Sequence, residues 1–148
     1  MDTLPTRGQQ LEAVFREIAA TRMAGLPLLH PGLKVQAVEF APCGDGTALG
    51  VLVTPWFMNL VRLPLQAAAD VTPAPGEAED QAVGGWTFRF HGQQEPGLGP
   101  FAAASLASPM GEFADQASAV ATARALLERL RPAPARRGFL FGRGQVAR

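Results

Sequence analysis

Residues 34–65 read KVQAVEFAPCGDGTALGVLVTPWFMNLVRLPL, and their pattern decides the fold class. Lys34 to Phe40 alternates, with Val38 and Phe40 on one side and Val35 and Ala37 on the other. Ala48 to Thr54 is a β-branched, almost wholly apolar run of strand length. Between them APCGDG is rich in turn residues, which predicts a β-hairpin. Phe57 to Leu63 is a third extended segment, bounded by Pro55 and Pro64, neither of which suits the middle of a central strand. Pro55 therefore marks a bulge or corner immediately before Trp56.

Working outward, Leu11, Val14, Phe15 and Ile18 form the stripe of an amphipathic helix over Gln9 to Met23. Thr6 and Gln9 have capping-box spacing for its start, and Glu12 with Arg16 is a supporting pair. Gly25 and Pro27 end it, and LPLLHPGL reads as a packed connector. Asp70 to Gly85 is a polar Pro/Gly-rich stretch carrying Glu77, Glu79 and Asp80, predicted as a mobile loop. Trp86 to His91 alternates as a strand, with Trp86, Phe88 and Phe90 inward and Thr87, Arg89 and His91 outward. Gly92 to Pro100 reads as a second loop, and Phe101 to Leu106 as either a small-residue strand or a connector. Ser108-Pro109 suits an N-cap and first helical position. A helix from about Glu112 to Leu130 follows, with Phe113, Ala117, Val120, Ala121, Leu127 and Leu130 as its apolar stripe. These elements predict an α+β domain: a mostly antiparallel sheet of about four strands, with an N-terminal and a C-terminal helix packed on it. There is no internal repeat. The expected organisation is one domain over 1–130, with its core at about 9–130, and a flexible Arg-rich tail over 131–148.

The chain has 148 residues, 47% of them hydrophobic and 18% charged, which fits one globular domain with its own core. Formal charge is zero, but residues 131–148 hold five Arg and no acid, so residues 1–130 sum to eight minus thirteen, or −5. An acidic body argues against nucleic acid as a partner. One cysteine, Cys43, excludes an internal disulfide framework, and with His30 and His91 leaves too few ligands for a recognisable metal site. No stretch reaches the roughly 18 apolar residues of a membrane span, and MDTLPTRGQQ is not a signal peptide. A cytoplasmic protein without membrane insertion is expected.

Catalytic chemistry is hard to assemble from this sequence. His30 lies between Leu29 and Pro31 and His91 at a strand end; both read as structural or surface histidines. Cys43 has no base near it in sequence. Neither a phosphate-binding glycine pattern nor a nucleophile elbow is present, and GLGPF lacks a strand-to-helix setting. Two dense segments remain. In TPWFMNLVRLPL (54–65), alternation would send Trp56 and Met58 to one side and Phe57 and Asn59 to the other. Either this strand is buried on both faces, or a large apolar side chain is left as an adaptable binding surface. In SLASPMGEF (105–113), Met110 and Phe113 flank an expected helix start, which reads either as a capped helix packed on the sheet or as a binding edge.

GVLVTPWFMNLVRLPL together with SLASPMGEFADQASAVATARALLERL resembles the HybE/HupJ family of nickel–iron hydrogenase assembly chaperones. TRMAGLPLLHPGLKVQAVEF is similar to that family's stretch between first helix and first strand, so the resemblance spans about residues 9–130. Some members carry a rubredoxin domain with paired CxxC motifs, which this sequence lacks. The resemblance implies a non-enzymatic, cofactor-free chaperone that binds a hydrogenase small subunit and its twin-arginine signal peptide, holding back export until maturation, with other assembly factors as further partners. Its motifs place client binding at Trp56, Phe57, Met58, Asn59, Ser108, Pro109, Met110 and Phe113. Glu112 and Asp115 lie beside the second motif and suit the guanidinium groups of the signal. The competing expectations are a scaffold acting on the folded small subunit, and protection of a cofactor from oxygen through Cys43, Met58 or Met110.

The tail adds a sharper expectation. ARRGFLF (135–141) reproduces the Arg-Arg-x-Phe-Leu core of a twin-arginine signal in Arg136, Arg137, Phe139 and Leu140, with no apolar run after it. The segment is either an incidental basic tail or a mimic that occupies the chaperone's own signal site. In the second case, deleting residues 135–148 would tighten client-peptide binding.

Overall fold

A computed structural model describes residues 4–66 and 69–131. The chain runs α1 (Leu4–Ala20), β1 (Gln36–Pro42), β2 (Thr47–Val53), β3 (Met58–Pro64), β4 (Ala78–Val83), β5 (Trp86–Glu95), β6 (Gly99–Ala107) and α2 (Gln116–Leu130). The strands form one sheet in the order β1-β2-β3-β6-β5-β4, with every neighbouring pair antiparallel. Two helices on an antiparallel sheet match the expected class, but the sheet has six strands rather than about four.

All seven residues of β2 are buried, because the two helices cover opposite faces. A strand buried on both sides needs no polar alternation, hence the apolar run. On one face Val51, Val53, Leu60 and Phe90 pack with Ala119, Ala123, Leu127 and Leu130 of α2. On the other, Leu52, Val61, Leu63 and Phe101 pack with Leu11, Phe15 and Ile18 of α1. Val38 and Phe40 do not share a face as the alternation predicted. The register slips between Val38 and Ala41, leaving Glu39 and Phe40 opposite Gly50. Such a bulge resets the alternation. Glu39 adopts φ 51°, and Phe40 swings to the α1 side, over Gly50, where a Cβ would lie 2.3 Å from its ring. Arg124 fixes the bulge through the Glu39 carboxylate at 2.8 Å.

Helix boundaries also differ from the expectation. α1 begins at Leu4, with Pro5 in its first turn, where a missing N–H costs little. Thr6 is thus inside the helix and does not cap it; the Glu12–Arg16 pair forms at 3.3 Å. α2 begins at Gln116, not Glu112. Asp115 is its N-cap, accepting from the Ser118 N–H at 2.9 Å while the Ser118 hydroxyl accepts from the Asp115 N–H. Ser108 and Pro109 lie in a bend instead, joined by a cis peptide. The later start rotates the stripe: Ala119, Val120, Ala123, Leu127 and Leu130 are buried, whereas Ala117 and Ala121 face out.

The segment predicted as a mobile loop contains β4, and β5 runs on through the predicted Gly92–Pro100 loop, leaving a turn at 96–98. β5 pairs with β6 only from His91 to Glu95; from Trp86 to Phe90 it pairs with β4 alone. The β4–β5 arm therefore outruns the main sheet, and its turn meets Leu130 at the end of α2. Gln81 of β4 accepts from Arg62 Nε of β3 at 3.1 Å. The arm's inward face follows the expectation at Phe90, which is buried, but Trp86 at its tip is 55% exposed. Beside the β1–β2 turn, the Thr47 hydroxyl and N–H hold the Asp45 carboxyl below the usual aspartate range, despite slight desolvation, with Arg62 adding to the effect. Its contribution to stability is present above that range and is lost as pH falls through the depressed value.

Gly92 is where segment 73–75 crosses β5. A Cβ there would lie 2.0 Å from the Ala74 carbonyl oxygen, while the Gly92 N–H donates to Glu77 O at 2.8 Å. The obstacle is backbone, not a side chain that can turn away. Gly92→Ala is expected to lower the unfolding free energy by about 2–3 kcal/mol, read as a lower urea midpoint at unchanged slope. A midpoint equal to that of the native chain would show that this crossing yields.

Candidate functional site

Thr54 shapes the link between β2 and β3. Its hydroxyl oxygen accepts from the N–H groups of Trp56 and Phe57 at 3.2 and 2.9 Å, and its own N–H donates to Phe57 O at 2.9 Å. Pro55 forms the corner, as predicted. Because Trp56 sits in the turn and not in a strand, it does not alternate with its neighbours. Trp56 and Phe57 lie together on the α1 side, ring centroids 5.4 Å apart, and Phe57 stands edge-on to Phe15 at 5.9 Å. Regular alternation starts only with Met58, on the α2 side, and Asn59, both buried.

The connector at residues 26–33 docks against this corner through His30. Its N–H donates to Pro55 O at 2.8 Å, and its Nδ1 accepts from the Gly32 N–H at 3.0 Å. With Nδ1 accepting, the ring proton resides on Nε2, which donates to Phe113 O at 2.6 Å. His30 thus ties together the connector, the β2–β3 corner and the approach to α2, the corner through its backbone N–H and the other two through its imidazole. The Ser108 hydroxyl adds a longer bond to Trp56 O at 3.4 Å. Met58 at the start of β3 pairs with Ala107 at the end of β6, so TPWFMNL and SLASPMGEF meet at one end of the sheet.

What this end presents to solvent is unusually apolar. Leu26 is 39% and Leu28 48% exposed. Residues Pro27 to Pro31 form one wall of an open cleft of about 370 Å³, and Pro109 and Gly111 the other. Ser108, Pro109 and Glu112 are exposed, and Trp56 and Phe57 half-buried. The motif residues therefore divide. Met58, Asn59, Met110 and Phe113 are buried beneath the surface and hold its shape, whereas Trp56, Phe57, Ser108 and Pro109 are open to a partner. Of the two candidate acids, Glu112 is exposed next to Gly111 of the cleft and makes no ion pair among the described residues, and Asp115 is engaged in capping α2. Arg136, Arg137, Phe139 and Leu140 lie outside the described residues. Among the described residues no cluster of three His, Cys, Asp or Glu side chains could hold a metal ion, and no helix is long and apolar enough to cross a membrane.

Over residues 6–145 the sequence matches the family described as NiFe-hydrogenase assembly, chaperone, HybE. The chain belongs to the HybE family. HoxT of Cupriavidus necator is 41% identical over 162 residues, covering 95% of this chain and 90% of that protein. A probable rubredoxin, HupJ of Rhodobacter capsulatus, is 38% identical over 117 residues, 79% of this chain but 42% of its own length. The solution structure of HybE from Escherichia coli superposes with a TM-score of 0.66 at 23% identity, over 99% of this chain and 96% of that one. The HybE fold is thus shared over nearly the whole length.

The apolar sheet end has one contributor that the sequence reading passed over, the exposed leucines of the connector. Leu26 and Leu28 were expected to pack inside a connector; their exposure reflects the Pro27 and Pro31 corners, which hold the start of LPLLHPGL on the surface while Leu33 reaches the core. Four leucines in so short a Pro-punctuated segment were the available hint. Arg7, also passed over, lies away from this site: fully buried, it ties α1 to the far end of β3 at Pro64 and to Leu98.

Proposed function

We propose that this HybE-family chaperone binds the small subunit of a nickel–iron hydrogenase and its twin-arginine signal peptide, through the apolar sheet end, and delays export until the subunit has matured. The role is non-enzymatic and cytoplasmic. The observation that carries this reading is the convergence of three segments, 26–33, 54–59 and 105–113, on one surface where Leu26 and Leu28 are left open. A signal peptide offers paired guanidinium groups followed by apolar residues. Such a ligand suits an apolar cleft flanked by an exposed carboxylate, here Glu112. Cofactor protection fits the geometry less well, because Met58 and Met110 are buried and Cys43 lies in the β1–β2 turn.

Titration with the twin-arginine peptide of a hydrogenase small subunit, against the same peptide with Ala-Ala for Arg-Arg, tests the reading. Saturable binding that requires the arginine pair is expected. Binding that ignores the pair, with signal-less small subunit still captured, would move the contact to the folded client.

A further inference from the structure

The two edges of the sheet are finished differently. At β1 the Glu12 carboxylate accepts from the Ala37 N–H at 2.8 Å, Gln116 Oε1 accepts from the Lys34 N–H at 2.9 Å, and Arg131 donates to Glu39 O. These side chains close that edge. β4 pairs with β5 along one side, and among the described residues no backbone group bonds its other side. An open edge accepts a further extended segment through main-chain hydrogen bonds.

The described chain ends beside the β4–β5 turn, at one end of this edge. The Leu130 carbonyl oxygen sits so near the β4–β5 turn that a Cβ on Gly84 would lie 2.2 Å from it. Just past the turn stands Trp86, the most exposed large apolar side chain among the described residues. Glu79 and Asp80 on β4 are exposed, with Glu79 bonded to the Gln81 amide at 3.1 Å and Asp80 to Arg89 at 3.1 Å. Residues 131–148 carry a charge of +5 and residues 1–130 a charge of −5.

We propose that the tail docks on its own molecule along the open edge of β4, with residues 132–134 beside Val83 and Trp86 and with Arg136 and Arg137 facing Asp80 and Glu79. A chain leaving α2 beside Val83 and running back toward Ala78 lies antiparallel to β4. Arg136 is reached within about 17 Å of extended chain beyond Arg131, and β4 itself spans about 20 Å. Phe139 and Leu140 then lie past Ala78, beyond the start of β4. The short tether gives an effective concentration on the order of millimolar, so weak intrinsic affinity suffices. Docking also shields the edge from pairing with a second copy. The contact is independent of the client reading and stands or falls without it.

Backbone NMR relaxation and amide exchange on the full-length protein test it. The expected result is restrained backbone at 132–137 in the native chain, released in R136E/R137E and in W86A. The outward β4 amides should exchange roughly tenfold faster in R136E/R137E than in the native chain. Adding E79K/D80K to the reversed-charge tail should restore both. Trp86, Glu79 and Asp80 are exposed, so these variants leave the fold intact. A tail as mobile in the native chain as in R136E/R137E would overturn the proposal. So would restraint that appears only at high concentration, which means pairing between copies, or slowed exchange at residues 26–32 instead of at β4.

Discussion

Replacing Arg7 by methionine is expected to lower the unfolding free energy by about 2–6 kcal/mol, a large part of the roughly 5–15 kcal/mol typical of a domain. Arg7 is fully buried in α1, yet its donors reach at least three partners. Nε donates to Pro64 O at 2.8 Å, one terminal nitrogen to Leu98 O at 3.0 Å, and the other to Gln10 Oε1 at 2.6 Å. The guanidinium thereby joins α1 to the end of β3 and to the β5–β6 turn. Methionine fills much of the same volume but strands two backbone carbonyls away from water, each costing about 1–3 kcal/mol. Lysine should not rescue, because one ammonium cannot reproduce the planar fork that spans these acceptors. Urea unfolding with an unchanged slope checks the loss; a drop below about 1 kcal/mol would show that the carbonyls find other donors.

Leu28→Asp should act in the opposite way, leaving stability within about 0.5 kcal/mol and weakening small-subunit binding by roughly 30-fold or more, the loss of one hot-spot residue. The side chain is 48% exposed, so an aspartate there meets water in the free protein and disturbs little packing. In a complex it would bury a carboxylate against apolar client surface, where desolvation is unfavourable. Leu26→Asp should behave similarly at lower amplitude, since Leu26 is the less exposed of the two. Ala125→Asp on the exposed side of α2 is the control and should change neither quantity. Native-like binding by Leu28→Asp would remove the connector from the client surface.

Much of the fold was legible because its signals are local. The APCGDG turn between two β-rich runs specified the β1–β2 hairpin, and the 3.6-residue stripe located the body of each helix. The misreadings have physical causes. β4 reads Ala-Glu-Asp-Gln-Ala-Val, without the β-branched alternation of a core strand, because it is an edge strand with charged residues facing water. The bulge at Glu39 left no trace in a segment that already alternates; it becomes visible only when Phe40 is seen to need the space above Gly50. Ser108-Pro109 and Asp115 with Ser118 are both credible helix starts in isolation. The second is the start used, after Met110 and Phe113 have packed into the α2-side core.

The candidate site was legible in part. Its motif residues were recognisable, but their division into buried supports and open contacts was not, because that depends on the corner at Pro55 and on one imidazole's bonds. Periodicity says nothing of a histidine that joins residues 55 and 113.

The central claim is that the client docks on the sheet end. Amide hydrogen exchange across the full-length chaperone, free and bound to hydrogenase small subunit carrying its signal peptide, tests it most directly. Protection concentrated in residues 26–33, 54–58 and 105–113 is the predicted result. Protection confined to α2 and β1, with those three segments exchanging as in the free protein, would contradict it.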